Sequence, residues 1–94
     1  MSISIKEYNL LKKSFCGDED IISSVSTGDS SFLQKKLLST LNGTKDGVLE
    51  LEEKTNLCLN IIKDENNFSP LIRNTIKDAV IKTFSQISLG MLKK

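Results

Sequence analysis

Ninety-four residues with 38 % apolar and 27 % charged side chains suffice for one folded domain, and they exclude the disordered and fibrous classes. The 13 basic and 12 acidic side chains leave a formal charge of +1 and alternate along the chain, so no single-sign field steers it to nucleic acid or to an anionic membrane. Arg73 is the only arginine; the other basic residues are lysines, which removes most of the bidentate contacts on which base and phosphate readout relies.

The elements follow in chain order. Ser4 and Glu7 have capping-box spacing, and the helix they open carries Tyr8, Leu11 and Phe15 on one face before Cys16-Gly17 ends it. Asp18 caps a second, short helix whose acidic first turn, Asp18-Glu19-Asp20, complements the positive end of the helix dipole. Its apolar residues are Ile21, Ile22 and Val25, and Thr27-Gly28-Asp29 ends it. Ser31 and Gln34 repeat the capping-box spacing and open a third helix with Leu33, Leu37 and Leu41 in register, stopping at Asn42-Gly43.

A fourth helix carries Val48, Leu51, Thr55, Cys58 and Ile62 along one seam, widened by Leu57, Leu59 and Ile61, so it is expected at the centre of the fold. After the polar run 63–67, Ser69-Pro70 is an N-cap followed by proline at the first helical position. The last helix turns Ile72, Ile76, Ala79, Val80, Phe84 and Ile87 inward and ends near Gly90. No alternating pattern nominates a strand. The expectation is an all-α fold, a small antiparallel helical bundle of four main helices plus one short helix, in a single domain over residues 1–94.

Histidine is absent, so a Ser–His or Cys–His pair is excluded. Cys16 and Cys58 lie 42 positions apart and read as two buried free thiols, with a disulfide as the alternative in an oxidising compartment. The pairs Asp18/Asp20 and Glu50/Glu53 fall in charge-rich helix starts, where complementing the helix dipole is the simpler role. No phosphate loop, dinucleotide turn or metalloprotease motif is present, and an enzyme is not expected.

One window carries a more specific pattern. Over residues 42–53, Asn42, Thr44 and Asp46 fall at positions 1, 3 and 5, Gly47 at 6, Val48 at 7, Leu49 at 8, Glu50 at 9 and Glu53 at 12. The spacing resembles the EF-hand calcium loop. That resemblance implies a calcium site in which Asn42, Thr44, Asp46, Glu50 and Glu53 supply side-chain oxygens and Val48 its carbonyl. Asn42 stands where the family has Asp, and Thr44 where it has Asp or Asn; no second loop accompanies the first.

By elimination the leading expectation is a protein without cofactor that binds another protein through one face of the bundle. Its size, helicity and lack of catalytic groups are similar to those of small bacterial immunity proteins, which neutralise a toxin by occluding it. That resemblance implies a basic toxin domain as partner, with Asp18, Asp20, Glu50, Glu52 and Glu53 as the contacting acids. Neither nucleic acid nor membrane is expected as a partner. The alternatives are a calcium-binding helical protein and an adaptor subunit of a secretion apparatus or phage. No secretory leader or apolar run of spanning length stands out, so a cytoplasmic location is expected.

Overall fold

Helix α1 (Ile5–Ser14) starts as the sequence indicates: the Ser4 hydroxyl accepts from the Glu7 N–H at 3.1 Å, and Glu7 Oε1 accepts from the Ser4 N–H at 3.3 Å. It ends in a tight turn with Cys16 and Gly17 both left-handed, at φ 53° and 79°. The carboxylate of Asp18 then accepts from the N–H groups of Asp20 and Ile21, at 3.1 and 3.3 Å, and opens α2 (Glu19–Ser26). Gly28 closes α2 at φ 85°, where a side chain would be strained and a Cβ would meet Leu71 Cδ1 at 3.4 Å.

The computed structural model describes residues 3–41 and 45–92. Among them are five helices and no strand: α1, α2, α3 (Ser31–Ser39), α4 (Lys45–Lys63) and α5 (Pro70–Leu92). The all-α bundle has the expected five helices, with α2 the shortest at 8 residues; α1 and α3 span 10 and 9 residues against 19 and 23 for α4 and α5.

The start of α3 differs from the capping-box expectation. Its N-cap is Ser30, in helical conformation and without a side-chain cap. Asp29 performs that task instead, its Oδ1 accepting from the N–H and hydroxyl of Ser31 at 3.0 and 2.6 Å. Gln34 is drawn away by a tertiary partner, its amide donating to Gln86 Oε1 on α5 at 3.0 Å. Ser30 likewise donates to Asp78 Oδ2 at 2.6 Å, and Lys82 pairs with the same carboxylate at 3.0 Å. These polar contacts fix α3 on α5 around a buried seam of Leu33 and Leu37.

The long helices α4 and α5 form a hairpin. Phe84, late in α5, lines one groove with Val48 and Leu51 early in α4, whereas Phe68, just before α5, lines another with Leu57 and Ile61 late in α4. The central element is α5, packed against α2, α3 and α4. The expectation of a central α4 is thereby corrected: α4 covers one flank and leaves Val48, Leu49, Leu57 and Leu59 exposed. Its buried side chains are Leu51, Cys58 and Ile61. The core is completed by Leu11, Ile21, Ile22, Val25, Phe68, Ile72, Ile76 and Ala79.

A single carboxylate ties the start of α1 to the start of α5. Glu7 is only 8 % exposed, and its second oxygen accepts from the Ser69 N–H at 2.8 Å, across 62 positions. The capping box of α1 and the start of α5 thus share one side chain. Phe68, beside this junction, is buried and accepts through its carbonyl from Arg73 Nε at 3.1 Å.

Candidate functional site

The residues nominated from the sequence do not gather on one face. Asp18 is committed to capping α2 and lies 3.8 Å from Lys36 Nζ. Asp20 is exposed on the first turn of α2, and Glu50, Glu52 and Glu53 are exposed on α4. Two residues apart on a helix means a rotation of roughly 200°, so Glu52 points away from the side that carries Glu50. Asp18 and Glu50 both line a cleft of about 240 Å³, together with Phe15, Ile21, Leu33 and Leu37. Lys36 and Lys54 line it too, so the cleft presents balanced charge.

The calcium-loop reading meets a different backbone. Asn42 and Thr44 lie outside the described residues, but helix α4 begins at Lys45, the fourth position of the window. Asp46, Val48, Glu50 and Glu53 are therefore all helical, whereas the loop needs non-helical backbone through its ninth position to turn five groups towards one ion. A helical Val48 carbonyl points along the axis towards the following turn. Among the described residues no group of three or more His, Cys, Asp or Glu side chains is placed to hold a metal ion.

Both cysteines are free thiols, but only Cys58 is buried as expected; Cys16 sits in the left-handed turn after α1 and is exposed. Burial pushes the Cys58 thiol up to about 12, with Lys54 opposing the shift, so it carries almost no thiolate at neutral pH.

What the structure does assemble is an apolar surface between α4 and α5. Val48, Leu51, Glu52, Thr55 and Asn56 of α4 face Phe84 of α5 across a groove of about 220 Å³. Phe84 also belongs to a strip on α5 formed with Ile81, Ser85, Ser88 and Leu89. Four of these apolar side chains are well exposed: Val48 55 %, Ile81 54 %, Phe84 40 % and Leu89 59 %. Phe84 was expected inward; it is displaced because Thr83 and Ile87 take the inward directions of the last turns, Thr83 fully buried with its hydroxyl donating to the Ala79 carbonyl at 2.7 Å.

Apart from Glu52, the residues lining the groove and the strip are uncharged. Residues 83–92 contain no Asp, Glu, Lys or Arg at all. That gap is the available signal, because a helical stretch without charge lacks the strongly hydrated face of an ordinary amphipathic surface helix. Even so, among the described residues no helix is long and apolar enough to cross a membrane; α5 itself carries Arg73, Lys77, Asp78 and Lys82.

Thr55 adds a polar irregularity to the groove wall. Ser26, Thr75 and Thr83 each donate to the carbonyl four residues back, at 2.6 to 2.7 Å, while the buried Oγ1 of Thr55 has no hydrogen-bond partner. An unmade bond of this kind costs about 1 to 3 kcal/mol, and the isosteric Thr55→Val removes it. Thr55→Val is expected to raise the urea midpoint of unfolding, whereas Thr83→Val, which discards a made bond, lowers it.

No protein-family model, curated protein or solved structure matches the chain.

Proposed function

We propose that this is a non-enzymatic protein-binding module that acts by occlusion or tethering through the α4–α5 face. The observation that carries the reading is the exposed apolar run Val48, Ile81, Phe84 and Leu89, joined across one groove and bordered by a ten-residue stretch without charge. A contiguous apolar patch edged by polar residues marks interaction sites on otherwise soluble folds. Helical walls suit a helical occupant, since side-chain ridges of a third helix seat between those of two others.

A toxin-neutralising role, as in small immunity proteins, is the narrower form of this proposal. In that form the contact centres on the apolar groove, with Glu52 as the one nominated acid that lines it. An exposed free thiol at Cys16 accords with a reducing, cytoplasmic setting.

The test is photo-crosslinking in the native cell, with a benzophenone side chain placed either at Ser88 on the strip or at Lys13 on exposed α1. The Ser88 probe is expected to give a discrete heteromeric adduct that Leu89→Lys abolishes, and the Lys13 probe to give none. Equal labelling from both positions, or no adduct from Ser88, overturns the proposal.

A further inference from the structure

We infer that the occupant of the α4–α5 groove is a cationic amphipathic helix of another protein, its apolar side against Val48, Phe84 and Leu89 and a lysine or arginine against Glu52. The inference rests on the protein-binding reading and specifies its partner. Glu52 is the sole charge among the side chains lining groove and strip, and it is anionic. Covering it without a countercharge strands a carboxylate away from water, a cost that a basic neighbour on the occupant offsets.

Among the described residues, no basic side chain lines the groove beside Glu52. Lys54 lines the other cleft, and Lys82 is engaged by Asp78 and Ser30. Lys77 stands seven residues before Phe84, about 10 Å away along the helix axis. A second copy of this chain is disfavoured by the same accounting: an α5 strip laid into the groove presents Ile81, Phe84, Ser85, Ser88 and Leu89, none of them cationic. An anionic lipid surface is repelled by Glu52 and finds no basic cluster in the strip.

Val48 to Asn56 and Ile81 to Leu89 each advance about 12 Å, so two to three turns of a partner helix fill the groove. Apolar anchors at i, i+3 or i+4, and i+7 match that length. The hydroxyls of Ser85 and Ser88 and the amide of Asn56 sit on its polar edge.

The experiment uses the full chain and two synthetic helical peptides with the same leucine face, one flanked by lysines and the other by glutamates, titrated by fluorescence anisotropy. The lysine peptide is expected to bind about three- to fivefold more tightly at low salt, the size of a partly exposed ion pair. Glu52→Lys should reverse that order, while Glu53→Lys, about 100° further round α4 and outside the groove lining, leaves it in place. Equal binding of both peptides, or a preference that survives Glu52→Lys, overturns the inference. Concentration-dependent dimerisation in sedimentation, removed by Phe84→Glu, overturns it in favour of a second copy. Failure of the peptide preference with a Ser88 adduct intact refutes the cationic helix alone; loss of the adduct refutes the protein-binding reading beneath it.

Discussion

Leu37→Ala is expected to lower the stability by about 2 to 5 kcal/mol, and Phe84→Ala by only about 1 to 2 kcal/mol. Leu37 is 1 % exposed on α3 and belongs to the buried core, so truncation leaves a cavity. Phe84 is 40 % exposed and already shares its ring with solvent. A domain of this length has roughly 5 to 14 kcal/mol in total, so the first change consumes much of the margin and moves the melting temperature by about 10 °C or more. Urea unfolding of the two variants measures the contrast. Equal losses would mean that Phe84 is covered in solution, and a midpoint rising with protein concentration would then identify self-association as the cover.

The second large effect concerns Glu7. Glu7→Ala leaves the N–H groups of Ser4 and Ser69 without their acceptor, and the expected loss is about 2 to 3 kcal/mol, as for hydrogen bonds to a charged group. Burial by itself raises the Glu7 pKa, but the hydrogen bonds donated by Ser69 and Ser4 outweigh it and hold the carboxyl below its ordinary 4.5. A lowered native pKa stabilises the fold fully above pH 4.5, and that contribution is lost as the pH falls through the native value. Asp29, Asp64 and Asp78 are also lowered, by Ser31, by Asn67, and by Ser30 with Lys82, respectively, and they fade over the more acidic range below 3.8. The parent protein should therefore lose stability steadily below pH 4.5. Glu7→Ala, weaker at neutral pH, should show a shallower decline there; parallel curves would contradict the assignment of this carboxylate.

Local signals were the most legible part of the sequence. Ser4 with Glu7, Asp18, and Ser69-Pro70 announce helix starts through contacts spanning two or three residues, and all three helices begin there. Ser31 with Gln34 carries the same spacing, yet the Gln34 amide finds Gln86 across 52 positions, and no local pattern records such a competitor. The depth of each helix was harder to read. Val48 and Phe84 obey the helical period of buried residues, but α4 lies on a flank and α5 at the centre, a choice made by the packing of all five helices together. The acids Asp18, Asp20, Glu50, Glu52 and Glu53 share a charge, which says nothing about direction around the axis. The surface that gathers into one place is apolar, and its mark in the sequence is the missing charge over 83–92.

The contrast between the two thiols gives the molecule a built-in clock. Cys16, outward in the turn after α1, takes up an alkylating reagent at the rate of an open thiol, while Cys58, fully enclosed beneath α4, waits for the fold to open. One fast and one slow equivalent of label thus separate accessibility from unfolding within a single chain, with no engineered reporter. Where reagent outpaces reclosing, the slow equivalent reads the opening rate; where reclosing wins, it reads the free energy of the open state.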